Sequence, residues 1–183
     1  LMVLPEIGCP GRSDLRSYVA RAGNHGNVLL WYTVDEAHSP ELAAQARSIY
    51  AAALEEDPHR PVAAAVGLLG AASGAVEFMD LLMPDYYTLR VQRDQSLADF
   101  AGWIQATGEI AERAGRPMWV VPQAFGGADF WRTPTPRELR CQAYIALTCG
   151  ATGLIWYSYW DGVATNSGEA SRFGHWFLPE RER

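Results

Sequence analysis

The run from Asn27 to His38, NVLLWYTVDEAH, is an apolar stretch that ends abruptly on two adjacent carboxylates. Val28, Leu29, Leu30, Trp31, Tyr32 and Val34 make a segment of strand length that is too apolar for an exposed edge. It reads as a strand buried on both faces, as in a parallel sheet. Asp35 and Glu36 stand where the strand leaves the core, and Ser39-Pro40-Glu41 then opens a helix with an N-cap, a proline in the first turn and an early acid. Parallel α/β folds place their chemistry at the carboxyl ends of strands, which makes these two carboxylates the first candidates for it.

On the amino-terminal side, Leu1 to Ile7 (LMVLPEI) is another apolar run, closed by the turn Gly8-Cys9-Pro10-Gly11. Ser13 is placed to cap a helix whose apolar positions Leu15, Tyr18, Val19 and Ala22 keep helical spacing up to Gly23. On the carboxyl-terminal side a helix runs from Pro40 to Glu56, with Leu42, Ala46, Ile49, Tyr50, Ala53 and Leu54 on one face, and Asp57-Pro58 ends it. Further strands are expected at Pro61 to Val66, Phe78 to Pro84, Pro117 to Gln123 and Leu154 to Tyr159. Between them the sequence predicts a short helix within Gly67 to Gly74 and long ones at Ser96 to Ala114 and Pro136 to Cys149, the latter two stopped by Gly115 and Gly150.

Strands and helices therefore alternate, without a run of antiparallel hairpins, which implies a parallel sheet with right-handed crossovers. Two architectures fit: an open doubly wound sheet, or part of a (β/α)8 barrel. No glycine-rich dinucleotide fingerprint follows any strand, which weakens the first. Nearly every strand ends on polar or aromatic groups instead: Glu6, Asp35 with Glu36, Asp85 with Tyr86, Gln123, and Trp160 with Asp161. Convergent strand-end residues suit the top face of a barrel.

The 183 residues fit one domain with a sizeable core, and the formal net charge of -6 argues against non-specific nucleic-acid binding. All fifteen basic residues are arginine, so neither a Schiff-base lysine nor a P-loop lysine is on offer. No cofactor is expected. Nor is a membrane partner, since no apolar run approaches the roughly 18 residues that span a bilayer. Cys9, Cys141 and Cys149 lack metal-finger spacing and read as ordinary thiols. The opening Leu1-Met2-Val3-Leu4-Pro5 lies within a strand and has no initiator methionine, so a piece of a longer chain or a processed product is expected, and its compartment stays open between secreted, periplasmic and other locations.

Four stretches, LLWYTVDEAHSPE, DPHRPV, MPDYYTLR and VVPQAFGGADFWRTPTPRELRCQAYIALTCGATGLIWYSYWDG, resemble the later part of TIM-barrel glycoside hydrolases of the retaining clan that includes β-galactosidase- and cellulase-like enzymes. The resemblance extends to about Gly162 and implies that residues 1–183 form a single partial catalytic domain, an incomplete (β/α)8 TIM barrel of six βα units holding the third to eighth strands. An arc of six strands leaves two open edges, so either an upstream segment or self-association through those edges is expected. In that clan an acid/base glutamate ends the fourth strand, usually after an asparagine, and a nucleophilic glutamate ends the seventh. Glu36 matches the first position, with Asp35 in the asparagine's place; Gln123 falls at the second, and an amide cannot form the glycosyl ester of a double displacement.

On this basis Glu36 is the expected proton donor to a glycosidic oxygen, with Asp35 the lesser candidate. The second carboxylate is sought in Asp161, then Glu6, then Asp85. The partner expected is a carbohydrate substrate. Tyr86, Trp131 and Trp160 have the faces that stack on pyranose rings, as do Tyr87, Phe125, Trp156 and Tyr157. Gln123 can bond a sugar hydroxyl with either end of its amide, and Arg132 can clamp a carboxylate or orient Glu36. Two other readings stand beside this one: a carbohydrate-binding barrel without turnover, in which Gln123 marks a lost nucleophile, and a barrel hydrolase with a metal on Asp35, Glu36 and His38.

Overall fold

The computed structural model describes Leu4, Ile7 and residues 14–92, 96–126 and 130–157, in which short parallel strands alternate with helices. Contacts divide the chain into two units, residues 1–84 with 106–119, and residues 85–105 with 120–183.

In the first unit three strands, β1 (Trp31–Tyr32), β2 (Val62–Val66) and β3 (Leu81–Pro84), pair in parallel in chain order. Trp31 lies opposite Val62, and Ala63 opposite Leu81. The order extends both ways: the Ile7 amide donates to the Tyr32 carbonyl at 2.7 Å, and Leu82 pairs in parallel with Met118, its amide donating to the Pro117 carbonyl at 3.1 Å. Five chain segments thus lie side by side in the order in which they occur, with no reversal of the kind that creates the crevice of a doubly wound sheet. All five residues of β2, VAAAV, are buried, which small and branched side chains permit when both faces of a sheet are covered.

Helix α1 (Leu15–Ala22) precedes β1, α2 (Pro40–Glu56) joins β1 to β2, and α3 (Leu69–Ala75) joins β2 to β3. Ser39 caps α2, its side chain accepting from the Leu42 amide at 3.2 Å, and Pro40 and Glu41 follow as expected. The buried stripe of α2 is Ala46, Ile49, Ala52 and Ala53; Leu42, expected on it, lies in the first turn and is exposed. At α1 the capping position is Asp14.

Polar clamps brace the amino ends of the strands. The Trp31 indole donates to Asp57 at 3.1 Å, Arg60 pairs with the same carboxylate at 2.5 Å, and the Arg60 Nε donates to the Val28 carbonyl. Asp80 accepts from the Val62 amide, the Tyr50 hydroxyl and Arg116. Trp31 is consequently a fully buried core residue.

The second unit begins again at Val120, the last residue of β4 (Trp119–Val120), the partner strand of β5 (Gly153–Leu154); within it the Ile155 amide donates to the Val120 carbonyl at 3.0 Å, and Gln123 pairs in parallel with Tyr157. Helix α4 (Leu97–Arg113) begins in this unit and ends in the first; α5 (Pro136–Thr148) lies between β4 and β5. Gly115 and Gly150 end these helices at φ +64° and +92°, where a Cβ would be strained. The strands are shorter than the apolar runs suggest, because regular pairing is confined to the few residues with a neighbour in register: Trp31–Tyr32 within 28–34, Trp119–Val120 within 117–123, and Gly153–Leu154 within 154–159 and the residue before it. Among the described residues no helix is long and apolar enough to cross a membrane.

Candidate functional site

Two groups of candidate residues emerge, one in each unit. The first lies at the carboxyl ends of β1 and β2. Past Tyr32 the chain turns sharply, and Glu36 adopts φ +43°, a left-handed conformation uncommon for a residue with a side chain. The turn sends consecutive carboxylates to different partners. Asp35 is exposed and accepts from the Tyr32 hydroxyl at 2.5 Å, whereas Glu36 Oε2 lies 3.2 Å from His38 Nε2.

Gly67, the first residue after β2, supplies the floor of this group. A Cβ built there would come within 2.9 Å of the Glu36 carboxyl carbon and 3.0 Å of His38 Cε1. The Glu36 carboxylate therefore rests on the backbone of the neighbouring strand's exit, as only glycine allows. Its side chain keeps 42% of its exposure, so an incoming ligand can reach it.

The metal reading does not hold for this trio: among the described residues no three His, Cys, Asp or Glu side chains gather closely enough to share an ion. The physical reason is the turn, which sends Asp35 back to Tyr32 and leaves Glu36 with His38.

The second group surrounds the end of β4. Gln123 is fully buried. Its Oε1 accepts from the Leu89 amide at 3.1 Å, and its Nε2 is within bonding distance of the Leu89, Phe125 and Arg132 carbonyls. Gln142 of α5 grips the backbone of the same residue, donating to its carbonyl and accepting from its amide, both at 3.1 Å. The sugar contact expected of Gln123 is thus corrected: its amide is committed to main chain. Arg132 does clamp a carboxylate, one belonging to this chain. Its guanidinium holds Glu138 at 2.8 and 2.9 Å, a bond that pulls the Glu138 carboxyl down to about 2 against the cost of burial. Glu138 completes a capping box with Thr135, so this arginine ties the loop to the start of α5.

Aromatic rings collect nearby. Tyr87 meets Phe125 edge-on at 4.9 Å and Trp131 at 5.8 Å, and stacks on Tyr157 at 6.1 Å between centroids. Tyr157 is 44% exposed. Tyr86 stacks separately on Trp103 at 5.1 Å. Asp85, after β3, is buried. Glu6, Trp160 and Asp161 lie outside the described residues. Gly67 was not legible as a site residue, because only the pairing of β1 with β2 brings it under Glu36; His38, two residues past Glu36, was legible as its neighbour from spacing alone.

No protein-family model and no curated protein matches the chain. Solved structures do. A protein designated an alpha-L-fucosidase from Bacteroides thetaiotaomicron superposes with a TM-score of 0.64 at 10% identity, over 79% of this chain and 52% of that one. A GH2 beta-galacturonidase from Eisenbergiella tayi, bound to galacturonate, gives 0.60 at 14% identity over 79% of this chain and 29% of that one. The truncated 3-deoxy-D-arabino-heptulosonate 7-phosphate synthase from Thermotoga maritima gives 0.56 at 13% identity over 85% and 50%. At such identities the likeness is one of fold, and it is shared by glycosidases and by an enzyme of different chemistry. The chain spans about half or less of the length of each.

Proposed function

We propose that this chain is part of a (β/α)8 glycoside hydrolase in which Glu36 is the general acid/base. The observation that carries the reading is the position of Glu36: an accessible carboxylate at the carboxyl end of a parallel strand, strained at φ +43° and seated on Gly67 of the adjacent strand's exit. Pairing of five segments in chain order supports the barrel over the doubly wound sheet. The likeness to a fucosidase and a galacturonidase is consistent with it. Proton donation to the glycosidic oxygen needs a carboxyl group that reaches the leaving group; the second carboxylate is assigned to Asp161, with Glu6 and the buried Asp85 behind it. Turnover of aryl glycosides by the full chain, falling about 10²- to 10⁴-fold in Glu36→Gln with the fold intact, is the expected result. A rate unchanged by that substitution would remove Glu36 from the mechanism.

One observation favours a second reading, a carbohydrate-binding barrel without turnover: Gln123, at the position where the resemblance expects a nucleophile, is bonded into the scaffold as an amide. Sugar binding with no hydrolysis, indifferent to Glu36→Gln, would favour it.

A further inference from the structure

We infer that His38 is the positioning residue of Glu36: it steadies the carboxyl group and answers the negative charge that proton transfer creates there. The inference rests on the reading of Glu36 as general acid/base. His38 Nε2 lies 3.2 Å from Glu36 Oε2; among the described residues no arginine pairs with that carboxylate and no other carboxylate pairs with that ring. Asp35, next to Glu36 in the chain, accepts from the Tyr32 hydroxyl instead. Separate constraints produce the contact. Glu36 is turned by its φ of +43°, the backbone of His38 runs straight into Ser39, which caps the 17-residue α2, and both side chains lie against Gly67 at the exit of β2. A Cβ on Gly67 would strike Glu36 Oε1 and come within 3.0 Å of His38 Cε1, the ring carbon bonded to Nε2. Carboxylate and imidazole thus share one seat, with 42% and 30% of their side chains left exposed.

A partly exposed ion pair contributes little to stability, so folding energy alone does not account for the arrangement. Proton transfer does. When the glycosidic bond breaks, its electron pair stays on the leaving oxygen and the Glu36 proton moves onto that oxygen, leaving a carboxylate behind. His38 neither gains nor loses a proton in the step. A ring N–H at Nε2 faces a neutral carboxyl before the transfer and an anion after it, and a hydrogen bond to an anion is roughly twice as strong. The contact therefore strengthens as the reaction proceeds, which raises kcat rather than binding. With Oε2 beside the imidazole, Oε1 is the oxygen that carries the proton, and the missing Cβ of Gly67 gives it room.

Kinetics on two kinds of leaving group test the assignment. Phenyl β-D-galactoside and β-D-glucuronide need a protonated leaving oxygen, whereas their 2,4-dinitrophenyl counterparts expel a stable phenolate without one. In the full chain His38→Asn, whose amide ends short of the Nε2 position, should lower kcat on the phenyl glycosides about 10- to 100-fold with KM nearly unchanged, and about tenfold less on the dinitrophenyl ones. The ratio of the two rates does not depend on how much of the protein is folded. His38→Gln, which returns an amide donor to the Nε2 position, should recover most of the loss. Added to Glu36→Gln, His38→Asn should cost almost nothing more, since it acts through a group already removed. Loss of turnover in Glu36→Gln with the wild-type rate in His38→Asn overturns the positioning role and leaves Glu36 as the acid. So does an equal loss on both leaving groups, or a loss that adds in full to that of Glu36→Gln, either of which makes His38 a structural residue. Turnover indifferent to both substitutions, or no turnover of any of these glycosides, overturns both.

Discussion

Glu36 holds a left-handed backbone conformation that costs on the order of 1 kcal/mol or more in a residue with a side chain, and its carboxylate presses on Gly67. Strain of this kind persists where the surroundings over-determine it, and here it aims one carboxylate at a strand exit. Gly67→Ala should therefore push the Glu36 side chain aside more than it disturbs the sheet. We expect aryl-glycoside turnover to fall toward the Glu36→Gln level while the melting temperature moves by a few degrees or less; an unaltered rate would show that this seat is irrelevant to catalysis. At Gln123 the opposite substitution is informative. Gln123→Glu would restore the acid type expected at that strand end, but the new carboxylate would face the Leu89, Phe125 and Arg132 carbonyls with nothing to donate. Urea denaturation should show a loss of roughly 2 to 4 kcal/mol at neutral pH, smaller in acid where the protonated side chain regains a donor. A stable, more active Gln123→Glu protein would contradict this account.

Among the elements, α5 has the best-defined start. Thr135 and Glu138 form its capping box, Pro136 occupies the first turn, and Arg132 reaches Glu138 from the preceding loop. Thr135→Ala should cost about 1 kcal/mol, measurable as a shift in the denaturation midpoint. The Glu138 carboxyl falls from its ordinary 4.5 to about 2, chiefly through the Arg132 hydrogen bond. A carboxyl depressed on folding stabilises fully above its unfolded value and loses that contribution as the pH drops toward the folded one. With the side chain 22% exposed, solvent screening reduces this to roughly 2 kcal/mol, gained above about pH 5 and lost on the way to pH 2. Glu138→Gln should flatten stability in that window; an identical acid profile in the variant would show that Arg132 contributes nothing there. Much of this element is visible in the letters TPRE and in Gly150, since caps and stops are local chemistry. The arginine's partner is not, because Glu138 and Arg132 read equally well as solvated or as ligand-facing.

On the proposed reading the chain is an arc of a barrel, and an arc with open edges would seek other strands. Light scattering of the 183-residue chain is expected to report a dimer or larger species; a monodisperse monomer would count against the partial barrel. The alternation of strands and helices, the caps of α2 and α5, the glycine stops and the position of Asp35 and Glu36 at a strand exit are determined by the sequence itself, because each depends on residues within a turn or two of one another. Partnership is a different matter. That Glu36 rests on Gly67 beside His38, that the Gln123 amide is held by the Leu89 backbone, and that Arg90 lies against Phe130 and Trp131 were decided by contacts across about 30 to 40 residues, which no local pattern encodes. The carboxylate at the end of NVLLWYTVDE was legible from the chain; what it can touch was settled by the fold, because a side chain's chemistry depends on neighbours that only tertiary structure brings within reach.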